Sequence, residues 1–420
     1  MNVLVIGGGG REHAVISKLR GNPRIKRLYC TPGNGGIGAN AECVNIKATD
    51  IDMTAAFAQQ HEIDFAVVTP DDPLVLGMTD VLEDLGIKCF GPSKKAAQLE
   101  GSKIFSKNLM KKYGIPTAAY EVFDRSEDAV AYVRAQNSFP VVIKADGLAL
   151  GKGVIIAENL AQAEEAIREM IDGGRFGQSG SRVVIEEFLH GPEVTVLAFA
   201  DGKTIKPMVS SMDHKRVYDG NEGPNTGGMG TIAPNPHYTQ EIEAVCMDTI
   251  FLPTIRAMQS EGAPFKGCLY FGLILTPKGP HVIEYNCRFG DPEAQVVLPL
   301  LKTDLLTVFE AVADERLDEI DIEWEKGSAA CVVLASGGYP QSYETGKQIT
   351  GIEDAEQLRG VTVFHAGTRY DDGRYYTAGG RVLGVTAKAR SLSSALTNAY
   401  EAVDLIHFEG AHHRTDIGGY

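Results

Sequence analysis

The stretch Val282–Glu293, VIEYNCRFGDPE, sets a carboxylate, an amide and a guanidinium at alternate positions: Glu284, Asn286 and Arg288. In an extended strand, residues i, i+2 and i+4 point to one side, so the three groups share a face. A carboxylate and an amide carbonyl are hard oxygen donors that suit Mg²⁺, which keeps waters and shares phosphate oxygens with its substrate. Arg288, one step along, is placed to grip a phosphate or a developing carboxylate charge. The plainer alternative is a Glu–Arg pair on a solvated sheet face. Cys287 has the opposite parity and reads as a small buried residue.

Two glycine loops add anion-binding chemistry. In KADGLALGKGV, Gly147, Gly151 and Gly153 let backbone N–H groups approach phosphates without a Cβ in the way. Lys144, on the strand before the loop, can reach the same anion. No Ser or Thr follows the loop lysine, so this is not a Walker loop. A flexible hairpin with a solvent lysine is the alternative. The first loop, VLVIGGGGREHA, fails as a dinucleotide fingerprint, because the third glycine of GxGxxG falls on Glu12 or His13. What survives is a nest of N–H groups at a helix start, suited to one phosphate, or else a plain tight turn. His13 reads as a helix-start residue, and strand parity leaves His214 open between site and core.

These residues must be positioned by more than one core, since 420 residues exceed a single domain. A formal charge of −15 argues against a nucleic-acid binder. No stretch is long and apolar enough to span a membrane, and MNVLVIGGGG is a strand running into a turn, not a secretion signal. Seven scattered cysteines with no CxxC pair imply neither a zinc site nor a disulfide framework, and a cytoplasmic location follows.

Residues 1–101 alternate strands with helices, the order of a doubly wound parallel sheet. Expected strands are 3–6, 27–30, 65–68 and 88–90; expected helices are 12–20, 53–60 and 74–85. Residues 102–325 open on the amphipathic helix of SKIFSKNLMKKYGIP. An α+β lid of about 120–190 follows, then the strands EVTVLAFA, KGCLYFGLILT and HVIEYN. Residues 326–420 form a last mixed α/β domain.

Taken together, EGSK, VVIKADGLALGKGV, VIEEFLHGPEV, DHKRVYDGNEGPNTGGMG and VIEYNCRFGDPE resemble the ATP-grasp superfamily. Within it they are most similar to the phosphoribosylamine–glycine ligase family, and the resemblance runs from GGREHA to RTDIG. It implies joining of glycine to 5-phosphoribosylamine with ATP going to ADP and phosphate, in purine synthesis. The sequence itself does not give the oligomeric state; a monomer is expected. The resemblance implies that Lys103 and Lys144 meet the nucleotide phosphates, with Gly151 and Gly153 in the lid loop. Main-chain groups of Glu186, Glu187, Phe188 and Leu189 would hold the adenine, and Glu193 the ribose hydroxyls. Glu284 and Asn286 would bind Mg²⁺ or Mn²⁺. Asp213, Lys215 and Arg288 would serve the reaction, with Asn225, Thr226 and Asp291 on the substrate side. Gly8, Gly9 and Gly10 would cradle the sugar phosphate.

Two departures from the family pattern stand out. TPDDPL puts Thr69 and Asp71 where the family usually has Gly and Glu, which shortens the carboxylate meant for the sugar by one methylene. Many ATP-grasp relatives carry a second metal-binding Glu on the preceding strand; counting back from Glu284, that place falls on Gly272. Rivals are a sibling ligase that activates formate or bicarbonate, and an ATP sensor without catalysis. The GPNTGGMG and DHKR segments favour the glycine ligase, and the intact Lys144, Glu284, Asn286 and Arg288 set disfavours the sensor.

Overall fold

The strand Asn2–Gly7 buries Val3, Leu4, Val5 and Ile6 completely, as a strand covered on both faces must. It is the middle of a five-stranded parallel sheet with spatial order Glu42–Cys43, Arg27–Pro32, Asn2–Gly7, Phe65–Val68, Lys88–Phe90. The chain order reverses between Asn2–Gly7 and Phe65–Val68, and ligand crevices open beyond the carboxyl ends of such a pair. The Gly8–Gly10 turn and Asp71 follow those two strands directly. The computed structural model describes residues 1–148, 153–173 and 181–419.

The expected helix 74–85 is corrected. It is two helices, Asp71–Leu76 and Met78–Asp84, broken where Gly77 adopts φ +99°. A left-handed residue ends one helix, and only glycine takes it without cost. The helix Lys103–Tyr113 fits its pattern. The Ser102 side chain accepts the Phe105 N–H at the start, and Gly114 closes the end at φ +67°.

The lid is a four-stranded sheet ordered Tyr120–Phe123, Val183–Glu187, Val141–Ala145, Val154–Ala157, packed on the helices Ser126–Gln136 and Leu160–Ile171. A larger antiparallel sheet runs Ile205–Pro207, Glu193–Asp201, Lys266–Thr276, Gly279–Asn286. A third sheet joins Met212–Asp213 and Gly230–Ala233 to the C-terminal strands Ser328–Ser336, Arg381–Ala389 and Val361–His365. The segment carrying Lys215, Asn225 and Thr226 therefore leaves and re-enters the C-terminal sheet. No helix among the described residues is long and apolar enough to cross a membrane.

Three histidines are core residues. The His13 Nδ1 accepts the His365 N–H at 2.8 Å, and the His214 Nε2 accepts the Gly418 N–H at 3.1 Å. Burial holds His13 and His214 down to about 4, and burial with His13 alongside holds His365 to about 3. These imidazoles stay neutral in the fold while the unfolded chain takes up protons below about pH 6.5. Stability is therefore complete above that pH and lost as pH falls toward 4. His13 and His214 should each cost about 2 kcal/mol by pH 5. Thermal melts from pH 7 to pH 5 check this: His214→Gln should flatten the slope, and a parent melting temperature independent of pH would contradict it.

Candidate active site

The polar strand departs from strict alternation, and the departure makes the site. Gly272 pairs with Glu284 but Leu273 pairs with Val282, so Ile283 is an extra, bulged residue. Without the bulge, Val282 and Glu284 would share a face. With it, Val282 and Tyr285 both enter the core, while Glu284 and Asn286 turn away from it. The strand ends at Asn286, so Arg288 lies beyond it, not on it; this corrects the expected three-residue face. Cys287 is buried, as expected.

Glu284 stands at a focus of positive charge. The Lys215 Nζ lies 3.7 Å from its Oε1 and 3.7 Å from the Glu193 Oε2. Burial works to raise the Glu284 pKa, but Lys215, Lys144, Lys103 and Arg288 outweigh it, and the carboxyl is held below its ordinary value. Lys215 is kept protonated: burial opposes this, and Glu193, Tyr270, Glu284 and Asp213 prevail. The Glu284 side chain is 34% exposed, open to a ligand. Gly272 is indeed its cross-strand neighbour, and a Cβ there would come within 3.1 Å of the Glu284 Cγ.

This donor set fits a divalent cation that arrives with phosphate. One carboxylate and the Asn286 amide are too few to hold a bare cation against four nearby positive charges. They suffice if the cation brings phosphate oxygens and waters. Among the described residues, no cluster of three or more His, Cys, Asp or Glu could hold a metal.

Lys103 and Lys144, the two lysines expected at the nucleotide phosphates, are held in different ways. The Lys103 Nζ donates to the Gly147 carbonyl at 3.0 Å, and its N–H to the Asp146 carbonyl at 2.9 Å. The Asp146 carboxylate accepts Ser102 Oγ and Ile104 N–H at 2.9 Å each and pairs with Arg182 at 2.7 Å, stapling the lid strand to the helix start. The Lys144 Nζ donates to the Ile283 carbonyl at the bulge, 3.1 Å, and pairs with Glu186 at 3.0 Å. Glu186 also binds Lys107 at 2.9 Å, all three side chains being at most 5% exposed. Its side chain thus has a role that the main-chain expectation did not include. Glu186→Ala would strand two buried ammonium groups and should lower stability by about 3–5 kcal/mol. A calorimetric scan in which its transitions matched the parent would refute that.

Of the other adenine-side positions, the Glu187 N–H is taken by the Ala119 carbonyl at 3.0 Å, and Phe188 and Leu189 follow the strand end. The Gly153 carbonyl accepts the Ala145 N–H at 2.8 Å. Gly151 lies outside the described residues.

In the Gly8–Gly10 turn one donor is already occupied. The Gly9 N–H donates to the Glu12 Oε2 at 2.5 Å, and the Arg11 Nε to the Glu12 Oε1 at 2.6 Å. A Cβ on Gly9 would lie 2.9 Å from Glu12 and 3.1 Å from Asp291, which is why the turn needs glycine there. Asp71 sits 4.0 Å from the Arg288 guanidinium; burial raises its pKa, but Arg288 and Arg11 lower it further. Thr69, where a Gly is usual, donates its hydroxyl to the Ile6 carbonyl and stays within the sheet.

Asp213, expected to serve the reaction, lies among further charged groups. Burial and the nearby Glu293 push its pKa well up against Lys215 and Arg381. Glu293 is raised as well, chiefly by burial, while its own N–H, Lys215 and Arg288 draw it down. Two such carboxyls resist ionising together. Thr226 brackets Lys215, its N–H and Oγ1 both donating to the Lys215 carbonyl at 2.7 and 2.8 Å, while Asn225 is exposed. Arg381 reaches in from the C-terminal sheet, donating to the Gly227 carbonyl at 2.7 Å and the Asp291 carbonyl at 2.6 Å. Gln295 donates to the Asp291 Oδ1 at 2.7 Å.

Family models for phosphoribosylglycinamide synthetase match consecutive parts of the chain: the N domain at residues 1–100, the ATP-grasp domain at 101–294 and the C domain at 329–420. The chain belongs to the phosphoribosylglycinamide synthetase family. It is 48% identical to the phosphoribosylamine–glycine ligase of Caldanaerobacter subterraneus, with all of both chains covered. It is equally identical to that of Vibrio vulnificus, over 100% of this chain and 98% of the other. The crystal structure of the Thermotoga maritima phosphoribosylamine–glycine ligase aligns with a TM-score of 0.86 at 32% identity, covering 99% and 100% of the two chains. A biotin carboxylase domain from Hydrogenobacter thermophilus, solved with MgADP and bicarbonate, aligns at TM-score 0.74 and 16% identity over 98% and 91%. At that identity it shares the fold with this family.

Arg11, Glu12, Glu100, Lys107, Asp146, Glu293 and Arg381 were not singled out from the sequence. All but Arg381 lie within stretches quoted above, Glu100 in EGSK, Asp146 in KADGLALGKGV and Glu293 in the polar stretch among them, so position in a motif could have flagged those. Arg381 opens an ordinary strand, and no local signal marks it.

Proposed function

We propose that this protein ligates glycine to 5-phosphoribosylamine at the expense of ATP, through a glycyl phosphate, in purine synthesis. The observation that carries the reading is Glu284 at the focus of Lys103, Lys144, Lys215 and Arg288. That is a charge pattern made for a polyphosphate with its cation. Residues 1–101 serve the sugar phosphate, 102–325 the nucleotide under a lid of about 120–190, and 326–420 close the acceptor side through Arg381. Seven unpaired cysteines, six of them buried, suit work in the reducing cytoplasm; the protein acts as a monomer.

A carboxylate is a poor acylating agent, because oxide would have to leave. A glycine carboxylate oxygen therefore attacks the γ-phosphorus, the bond to the β–γ bridging oxygen breaks, and ADP departs. The amine nitrogen then attacks the glycyl carbon, and phosphate leaves with the oxygen that came from glycine. The chain supplies positioning and charge neutralisation. Lys103 and Lys144, with the lid loop at Gly151 and Gly153, hold the phosphates. Main-chain groups of Glu186–Leu189 hold the adenine, and Glu193 the ribose. Mg²⁺ or Mn²⁺ on Glu284 and Asn286 would neutralise charge on the phosphate oxygens. Arg288 and Lys215 stabilise the transferring phosphoryl group. The ionised member of the Asp213–Glu293 pair takes the proton that the amine loses. Asn225, Thr226, Asp71 and Asp291 border the sugar amine. The sugar phosphate takes the Gly9 N–H from Glu12 within the Gly8–Gly10 turn.

Glycine labelled with ¹⁸O in its carboxylate tests the intermediate. One labelled oxygen should appear in the released phosphate at each turnover. Unlabelled phosphate would overturn the acyl phosphate path.

A further inference from the structure

Glu100 is the third residue of a four-residue helix, Gln98–Gly101, just before the Ser102 cap of the helix Lys103–Tyr113. It is 8% exposed, and each of its carboxylate oxygens has a separate task. The Oε1 receives the Arg288 guanidinium at 3.0 Å, and the Oε2 receives the Cys287 N–H at 2.6 Å. One side chain thus fixes both the backbone just before Arg288 and the end of the Arg288 side chain. The remaining guanidinium contacts are longer or weaker: Asn286 Oδ1 at 3.2 Å, the Phe289 carbonyl at 3.3 Å and Asp71 at 4.0 Å. The buried Arg288 Nε has no protein partner. A long side chain left to itself would lose rotamer freedom on gripping an anion; a charged partner already holding the fork removes that cost. The supporting partner sits at the seam between the N-terminal sheet and the nucleotide-binding part.

We propose that Glu100 is a positioning residue that pre-sets the Arg288 guanidinium for the γ-phosphoryl group. It acts only through Arg288, and it ties that group to the packing of the N-terminal domain. The inference rests on the reading of Arg288 as a phosphoryl ligand.

Glu100→Gln keeps the shape and an acceptor for Cys287 but removes the charge. Its kcat should fall about 10- to 100-fold, the scale of a hydrogen bond to a charged group, while the KM for ATP changes little. In the double variant with Arg288→Ala, the second change should add no further loss. A purely structural role would instead multiply the two losses or raise the KM, and either result overturns the proposal, as does an unchanged kcat. Calorimetry with Mg²⁺ and either ADP or a non-hydrolysable ATP analogue needs neither glycine nor the sugar. The preference for the triphosphate should shrink in Arg288→Ala and in Glu100→Gln alike. If it shrinks only in Arg288→Ala, this inference fails alone; if it shrinks in neither, the Arg288 assignment fails first. Should Glu100→Gln melt below the assay temperature, Glu100→Asp carries the same comparisons. It keeps the charge, so its preference for the triphosphate should exceed that of Arg288→Ala, and equality with Arg288→Ala counts against the proposal.

Discussion

Arg288→Ala will leave a folded protein whose kcat is lower by about 10²–10³, the loss seen when one preorganised donor to a developing oxyanion is removed. The guanidinium is buried against Glu100 and Asp71, which hold it charged against the effect of burial. Removing it leaves Glu100 without its cation. Burial already raises Glu100 to about 7, with Arg288 the main opposing influence, so the carboxyl then takes a proton and the fold is spared a lone buried charge. Arg288→Lys keeps the charge but loses the planar fork and should recover only part of the rate. Steady-state kinetics on purified, melt-checked protein decide it. A kcat within threefold of the parent would remove Arg288 from the phosphoryl step.

Glu284→Ala should have the largest effect of all, about 10³-fold or more in kcat, since it deletes the single carboxylate offered to the divalent cation. The distinctive sign lies in binding. Lys215, Lys144 and Lys103 lose a counter-charge, so ATP without a divalent cation should bind more tightly than it does to the parent, while the gain from adding Mg²⁺ should vanish. Titration calorimetry with and without Mg²⁺ reads both. An undiminished Mg²⁺ effect would place the cation elsewhere.

Much of this architecture is legible in the residues because its causes are local. The apolar run Val3–Ile6 is a strand buried on both faces, and the strand expected at 65–68 begins and ends there. The capped helix after Ser102 follows from the serine and from Gly114. What was hidden depends on partners far along the chain. The bulge at Ile283 is a property of pairing with Lys266–Thr276, and no local pattern shows it. Strict alternation put Glu284 and Asn286 on one face, as the structure does, but carried Arg288 onto a strand that ends before it. Arg381 meets Gly227 across more than 150 residues, and Asn34 meets His365 across more than 300. Glu12 reads as a failed glycine of a dinucleotide motif, yet in three dimensions its carboxylate takes the Gly9 N–H that a phosphate would use. A short side-chain hydrogen bond within one turn occupies a donor that an anion would have to take over. The Asp71 carboxylate, read as a sugar ligand, also serves two arginines.

The most direct measurement is ADP release with ATP and Mg²⁺, supplying glycine and freshly made 5-phosphoribosylamine together and then omitting each. The account predicts release that requires both, with labelled glycine entering a phosphorylated product. Release that ignores glycine, or that answers to formate or bicarbonate in its place, would contradict it.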